Sequence, residues 1–207
     1  PFSSTSGLAH ATNGNTIVFL SGLYTGPLIA NNVGGTPGNP VTVMSEVLWG
    51  AVVANSSERG IRTAGNSSPH MIWDGFCVSN NVSDGFNLWT DTTVQNCWII
   101  SNNIAGSTLG CGIVVSGATA TNTVVRWNRI EGNGPAPDSG NSNTNLTHGM
   151  YISGANSRIY GNLVLNNPGH GINYFSQSSG SYQWNTHIYE NITAGNNVKA
   201  GIGVAGA

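Results

Sequence analysis

Two stretches of the sequence share one pattern, Val125-Arg-Trp-Asn-Arg-Ile-Glu-Gly-Asn133 and Ile159-Tyr-Gly-Asn-Leu-Val-Leu-Asn-Asn167. Each begins with an aliphatic residue, then has Asn three positions on, a β-branched residue five positions on and Asn eight positions on. Three more copies relax only the second position and the third: Ile72, Gly75, Cys77 and Asn80; Val94, Cys97, Ile99 and Asn102; Ile188, Asn191, Thr193 and Asn196. Starts at 72, 94, 125, 159 and 188 indicate one structural unit that repeats along the chain, which predicts a solenoid.

A second motif, Gly-Φ-x-Φ with Φ apolar, follows each copy, at Gly85, Gly112, Gly149, Gly171 and Gly201. Such short alternation of apolar residues is typical of strands with one buried face. The Asn or Gly three positions into the repeat suits a left-handed backbone, so we expect a sharp turn at that residue. Because stacked coils bring equivalent side chains above one another, their amides can hydrogen-bond along the stack. The two motifs predict an all-β parallel β-helix.

Composition narrows the function classes. Charged residues are only 7 % of the chain and the net charge is −2 without any basic run, which disfavours a nucleic-acid partner. No apolar run reaches the roughly 20 residues that span a bilayer. We expect one domain over residues 1–207, with residues 1–14 as a possible N-terminal cap, an uncapped C-terminal end, and secretion of a mature chain that opens at Pro1. Cys77, Cys97 and Cys111 lack metal-ligand spacing and are expected to be buried.

The chain resembles the pectate-lyase-like superfamily over nearly its whole length. The resemblance rests on His148-Gly-Met-Tyr-Ile-Ser-Gly, Arg158-Ile-Tyr-Gly-Asn and His170-Gly-Ile-Asn-Tyr. The first coils, with Gly14-Asn-Thr-Ile-Val and Gly22-Leu-Tyr, are similar to those of alginate lyases and chondroitinase B. This resemblance implies a right-handed parallel β-helix of about seven to eight coils, each with three short strands. It also implies that the Gly-Φ-x-Φ strand lines a polysaccharide groove.

The outward positions of that strand supply the candidate site. Side chains alternate across a strand, and the residue before each Gly forms a further column, so His148 and His170 are expected on neighbouring coils. Loops 103–111 and 134–148 precede this strand and should form the groove wall. We predict a catalytic trio of His148 as base, Tyr151 as acid and His170 as orienting or binding group. The predicted substrate-binding residues are Asn87, Trp89, Asn173, Phe175, Asp84 and Asp138.

Other chemistries stay open. Asp84 and Asp138 could be the two carboxylates of a glycoside hydrolase. No cofactor is predicted: a calcium site from the scattered Asp74, Asp84, Asp91 and Asp138 is disfavoured, and His148 with His170 lacks a third zinc ligand. Five sequons make Asn55, Asn66, Asn81, Asn145 and Asn191 candidate glycosylation sites.

The alternative to a carbohydrate-active protein is a structural one. Low charge and an uncapped last coil favour a non-catalytic fibre, coat or adhesin subunit that assembles by head-to-tail stacking. An extracellular location fits both alternatives. The partners predicted are therefore a polysaccharide and, for the second alternative, further copies of this chain.

Overall fold

Three parallel sheets run side by side through the protein, and each contains seven strands. The computed structural model describes residues 8–106, 109–115, 120–136, 140–141, 144–175, 185–196 and 200–205. Each turn of the chain adds one strand to each sheet, so the described residues form seven coils. The predicted parallel β-helix with three strands per coil is confirmed.

The strands of sheet A are β1 (Thr16–Phe19), β4 (Val41–Ser45), β7 (Met71–Asp74), β10 (Thr92–Gln95), β13 (Val124–Arg126), β16 (Arg158–Tyr160) and β19 (His187–Tyr189). Sheet B contains β2 (Gly22–Thr25), β5 (Ala51–Ala54), β8 (Cys77–Ser79), β11 (Trp98–Ile100), β14 (Arg129–Glu131), β17 (Leu163–Leu165) and β20 (Ile192–Ala194). Sheet C contains β3 (Leu28–Ala30), β6 (Ile61–Thr63), β9 (Phe86–Leu88), β12 (Ile113–Val115), β15 (Met150–Ile152), β18 (Ile172–Phe175) and β21 (Ile202–Ala205). Short 3-10 turns occur at Gly65–Ser67 and Thr144–Leu146.

The core is a set of columns of mostly aliphatic side chains, and all three sheets contribute to it. In sheet A, Val94, Val125 and Ile159 occupy equivalent positions on successive strands, and all three are fully buried. In sheet C, Ile113 and Met150 stack in the same way. Burial of each such side chain contributes about 1.5–3 kcal/mol, and the flanking residues of each strand point outward. The period of two that the sequence showed is therefore the alternation between core and surface.

The repeated Asn residues form two buried amide ladders. Along the corner between sheets A and B, the Nδ2 of Asn128 donates to the Oδ1 of Asn162 at 3.0 Å, and Asn162 donates to Asn191 at 2.9 Å. A second ladder follows the end of sheet B through Asn81, Asn102, Asn133, Asn167 and Asn196. Each buried amide thus satisfies its neighbour, as a buried polar group must.

The left-handed turn residue lies one position earlier than predicted. Positive φ is found at Asn96 (54°), Trp127 (56°), Gly161 (64°) and Glu190 (54°), each directly before the ladder position. The ladder Asn instead turns its side chain into the stack. Asn suits both a left-handed backbone and an amide ladder, so the sequence pattern could not separate the two roles.

The first copy of the repeat begins at Trp73 and not at Ile72. The pairing of β7 with β10 sets Trp73 opposite Val94, and Ile72 faces outward. The ladder residue of this coil is accordingly Asn81, not Asn80. The prediction slipped by one residue because Phe76 occupies the position that is Asn in the coils of β13, β16 and β19, whereas Gly75, one residue earlier, fits the sequence pattern.

The sequence also predicted a possible N-terminal cap, three buried cysteines and no membrane-spanning segment. Leu8 of the proposed N-terminal cap is buried in the core, and residues 1–7 lie outside the described part. Cys77, Cys97 and Cys111 are free and buried, and burial raises the pKa of Cys97 to about 12. Within the described ranges, no helix is long and apolar enough to cross a membrane.

The sequons have different environments. Asn55 is exposed. Asn81 is buried, and its Nδ2, the atom that a glycan would modify, donates within the ladder. The Nδ2 of Asn191 donates to two backbone carbonyls. The side chains of Asn66 and Asn145 lie outside the described part of the structure.

Candidate functional site

A groove of about 860 Å³ lies along the outer face of sheet C. Its floor is one column of side chains on adjacent strands, Asn87, Val114, Tyr151 and Asn173. The segments that precede these strands form the wall and include Leu109 and Leu146 from the two long loops. The other lining residues are Ser57, Glu58, Arg59, Val82, Ser83, Asp84, Gly110, Cys111, His148, His170 and Phe175.

His148 is held by hydrogen bonds at both ring nitrogens. The side chain is 3 % exposed, and its Nδ1 lies 2.9 Å from the backbone nitrogen of His170, which can only donate. Nδ1 is therefore an acceptor, so the neutral imidazole carries its proton on Nε2. The Asn173 amide lies 3.1 Å from Nε2. A carboxamide rotates by 180° to exchange its two ends, so Asn173 accepts through its oxygen and keeps its NH₂ as a donor on the groove side.

His170 has the opposite tautomer. Its Nδ1 lies 3.1 Å from the carbonyl oxygen of Ala200, which can only accept, so Nδ1 carries the proton. Nε2 then has a lone pair, and no hydrogen bond within the described residues uses it. The ring lies directly over Gly203, where a Cβ atom would come within 2.6 Å of Cε1. The absence of a side chain at residue 203 therefore makes room for this imidazole.

These hydrogen bonds favour an exchange of the predicted histidine roles. The sequence predicted His148 as the base, but both of its ring nitrogens are engaged. His170, predicted to orient, is half-buried in the groove with an available lone pair. The backbone carbonyl of Ala200 fixes that tautomer, because a hydrogen bond at one ring nitrogen decides which nitrogen of a histidine carries the proton.

Aromatic rings surround the histidine pair. The ring centroids of His148 and His170 are 5.3 Å apart, and Tyr151 lies parallel to His148 at 6.2 Å. Phe175 is 6.3 Å from Tyr151 on the next coil. Flat apolar rings beside amide donors suit a sugar, whose C–H face packs on the ring while its oxygens take hydrogen bonds.

An ion pair between the buried Asp84 and the partly exposed Arg59 lies at the other end of the groove. Oδ2 of Asp84 accepts from Nε of Arg59 at 3.0 Å, and its Oδ1 accepts from the backbone nitrogen of Cys111 at 2.9 Å. Burial raises the pKa of the Asp84 carboxyl, and the bonds from Cys111 and Arg59 partly oppose that rise. The side chain of Arg59 is 36 % exposed, and its terminal nitrogens make no hydrogen bond among the described residues.

Most predicted site residues lie in or beside the groove. His148, Tyr151, His170, Asn87, Asn173, Phe175 and Asp84 line it. Trp89 instead lines an adjoining depression of about 430 Å³, together with Arg62 and the shared residues Arg59 and Asn87. Asp138 lies outside the described residues.

Sequence reasoning missed Arg59 and Gly203. Backbone bonds from the Gly of one coil to the residue before the Gly of the next align Arg59 and Asp84 in the histidine column. Opposite charges on neighbouring positions of that column could have indicated the ion pair. No sequence signal marks Gly203, because its importance depends on which way the His170 ring turns.

The donor set does not fit a bound calcium ion. Asp84 already accepts hydrogen bonds at both oxygens, and the described residues contain no cluster of three His, Cys, Asp or Glu side chains able to hold a metal. A calcium site needs several converging oxygen ligands. We therefore derive no chemical step through a metal.

Comparison with solved structures finds the same fold in polysaccharide lyases. The structure of pectate lyase Pel9A superposes with a TM-score of 0.70 at 18% identity, covering 86% of this chain and 46% of that chain. This chain thus spans less than half the length of Pel9A. An alginate lyase from Paenibacillus sp. str. FPU-7 gives a TM-score of 0.52 at 17% identity, covering 85% of this chain and 79% of that chain. No protein-family model and no curated protein sequence matches this chain.

The fold class that the sequence predicted is therefore shared with enzymes described as lyases. At these identities the likeness concerns the architecture, a right-handed parallel β-helix. A shared fold does not define a function, so the function of this chain depends on the residues of its own groove.

Proposed function

We propose that the groove binds an acidic polysaccharide and cleaves it by β-elimination. The observation that carries this proposal is the histidine pair, in which the Ala200 carbonyl leaves the Nε2 of His170 as a free base inside the groove. A glycoside hydrolase would need two carboxylates across the scissile bond. The described groove offers Asp84, which is engaged with Arg59, and Glu58 on the wall.

The elimination would use three side chains. Nε2 of His170 removes the proton from the carbon beside the uronate carboxylate, and the C–H electrons form a C=C bond as the glycosidic C–O bond breaks. The Tyr151 hydroxyl gives its proton to the departing oxygen and later regains one from protonated His170 through water. The Asn173 NH₂ donates to the uronate carboxylate, whose charge grows in the transition state.

Arg59 would bind a more distant carboxylate of the same chain. Four coil steps separate Arg59 from His170 in their column, which is roughly 19 Å at about 4.8 Å per coil. Its terminal nitrogens are available, and a guanidinium suits carboxylate recognition. The groove would therefore bind several sugar residues, one for each coil.

The location follows from the substrate. Acidic polysaccharides of this kind are found outside cells, so we propose that the protein is secreted. Among the predicted glycan acceptors that the structure describes, we propose only Asn55, which is exposed, because the Nδ2 atoms of Asn81 and Asn191 already donate hydrogen bonds.

The test is ultraviolet absorbance of the unsaturated product, with polygalacturonate, polymannuronate and polyguluronate as substrates. We expect one of them to be cleaved by the wild-type protein, and His170→Ala to lower turnover by about 10²–10⁴-fold. His10→Ala is the matched control, because His10 is exposed and does not line the groove, and it should turn over normally. Tyr151→Phe should reduce turnover while binding persists.

Three outcomes would decide against parts of the proposal. Wild-type turnover by His170→Ala would exclude His170 as the base. Saturated products would replace elimination by hydrolysis. Binding of polyuronates without turnover by the wild-type protein would overturn the lyase assignment and leave a binding protein.

The second candidate is a non-catalytic subunit that assembles by stacking. It is favoured by the low content of charged residues, 7 % of the chain, because little charge repulsion would oppose contact between copies. Stacking of copies would continue the three parallel sheets from one copy to the next. Sedimentation over a range of concentrations tests it: growth to open-ended oligomers supports it, and a constant monomer excludes it.

A further inference from the structure

A second cluster of aromatic side chains lies on the corner between sheets A and B, away from the groove over sheet C. We call it the outer aromatic surface and define it as Trp98, Arg126, Trp127, Arg158, Tyr160 and Tyr189. Its centre is Trp127, which is 52 % exposed. None of these residues lines the groove.

The fold does not require a tryptophan at residue 127. The equivalent corner positions of neighbouring coils hold Asn96, Gly161 and Glu190, and the backbone has the same left-handed conformation at all four. A half-exposed indole in that conformation gives little core burial. The side chain nevertheless has a prepared position: a Cβ atom at Gly161 would lie 2.6 Å from its Cδ1, so the indole rests directly on the next coil.

Neighbouring side chains hold the rings in place. The guanidinium of Arg126 lies 4.4 Å from the Trp127 ring centroid, and Tyr160 contacts the indole edge-on at 6.0 Å. Tyr160 also stacks on Tyr189 of the following coil at 4.9 Å. The rings therefore form a fixed row parallel to the solenoid axis, with half of the Trp127 surface open to solvent.

Two arginines of the surface are available to an anionic ligand. Arg126 donates only to neutral acceptors, the Oε1 of Gln95 and the hydroxyl of Tyr160. Arg158 is exposed on the adjacent strand, and neither arginine forms an ion pair among the described residues. The carboxylates nearby are Glu131, which accepts from Nε1 of Trp98 and pairs with Arg129, and Glu190, at the corner next to Tyr189. Arg126 and Arg158 can therefore pair with carboxylates of a ligand.

We propose that the outer aromatic surface is a second binding site, for an acidic polysaccharide chain that lies along the solenoid axis. The C–H face of one sugar packs on Trp127, and carboxylates of the chain pair with Arg126 and Arg158. The rise of about 4.8 Å per coil is comparable with the length of one sugar residue, so successive sugars meet successive coils. This site does not depend on turnover in the groove.

The experiment measures binding of polygalacturonate and of a neutral galactan by affinity electrophoresis, in the His170→Ala background so that the polymer stays intact. Trp127→Ala should weaken polygalacturonate binding at the outer surface about tenfold, or about 1.4 kcal/mol, because the sugar loses its packing contact with the indole ring. Trp127→Phe should restore part of the affinity. Arg126→Gln should also weaken polygalacturonate binding, and its effect should grow as the salt concentration falls, because charge screening is then smallest.

Val18→Ala is the matched control, because Val18 is 50 % exposed and lies outside both this surface and the groove. Equal binding by Trp127→Ala and Val18→Ala, with both variants folded by circular dichroism, would overturn the proposal. An equal loss for the neutral galactan would overturn the anionic ligand. Stronger Trp127-dependent binding of single-stranded DNA, or a Trp127-dependent dimer in sedimentation, would assign the surface to a different partner.

Discussion

The groove over sheet C and the outer aromatic surface stand on the same coils but are organised differently. In the groove, backbone atoms of neighbouring coils fix the functional side chains: the amide of His170 holds His148, and the carbonyl of Ala200 holds His170. On the outer surface, side chains hold side chains, as Arg126 and Tyr160 do for Trp127. The groove should therefore be sensitive to small backbone displacements, whereas the outer surface should tolerate them.

Two glycines give the sharpest test of this contrast. Gly203→Ala places a methyl group against the imidazole of His170, and a ring displaced by about 1 Å should lower turnover about 100-fold. Polyuronate binding on the outer surface should be unchanged. Turnover and affinity electrophoresis measured on one preparation check both statements. A normal turnover number for Gly203→Ala would show that the ring position is unimportant.

The matched variant is Gly161→Ala, which places its methyl group against Trp127. It should weaken outer-surface binding severalfold and leave groove turnover unchanged. A loss of about 1–2 kcal/mol in the free energy of unfolding should accompany it, because φ at residue 161 is 64°. If both glycine variants affected turnover equally, the two surfaces would not be independent.

The amide ladders run through the coils that carry both the groove and the outer aromatic surface. Disruption of a ladder should therefore affect both surfaces alike. Asn133→Ala removes the Oδ1 that accepts from the backbone nitrogen and the Nδ2 of Asn102, and the Nδ2 that donates to the carbonyl of Ile99. It should lower the free energy of unfolding by about 3 kcal/mol. Urea unfolding measures this, and turnover and outer binding should fall together with the folded fraction. Asn13→Ala, at an exposed position, is the control and should change stability little. Loss of only one activity would contradict a shared ladder.

The smallest expected effect concerns Arg59 and depends on pH. The pKa of Asp84 is higher in the folded protein than its ordinary value. The folded state therefore loses stability as the pH rises from that ordinary pKa to the folded-state pKa, because Asp84 must ionise in a buried place. Arg59→Gln removes the nearest positive charge and raises this pKa further. The variant should thus match the wild type at about pH 3 and be about 1 kcal/mol less stable at about pH 7.

Urea unfolding at the two pH values measures the difference. Arg158→Gln on the outer surface is the control, because Arg158 has no carboxylate partner among the described residues. Its effect on stability should be the same at both pH values. A destabilisation by Arg59→Gln that does not vary with pH would mean that Asp84 and Arg59 are not coupled.

The sequence predicted the fold because every coil repeats the same physical requirement. A β-branched residue fills the core position, as Ile130 does, and an Asn such as Asn133 completes the ladder. The prediction failed where one residue type serves two purposes. Asn could mark the turn or the ladder, and Phe76 took the place of a ladder Asn in the coil that begins at Trp73.

For a related reason, only part of the candidate site could be predicted from the sequence. Alternation along a strand brought Tyr151 and Asn173 together, because that depends on register alone. The protonation of the two histidines depends on whether a backbone N–H or a carbonyl faces each ring. Nothing in the residues His148 and His170 themselves encodes that, so the sequence could not show which ring nitrogen of each histidine carries the proton.

The coil register also bears on how such a protein can change during evolution. One more coil inserted anywhere would continue both ladders and every core column, because each repeat contacts only its neighbours. Inserted between β15 and β18, however, it would separate the amide of His170 from the ring of His148 by about 4.8 Å. Duplication and deletion of coils can therefore lengthen or shorten this chain at many boundaries, while selection for the proposed chemistry would hold fixed this boundary and the one between β18 and β21, across which Ala200 and Gly203 position His170.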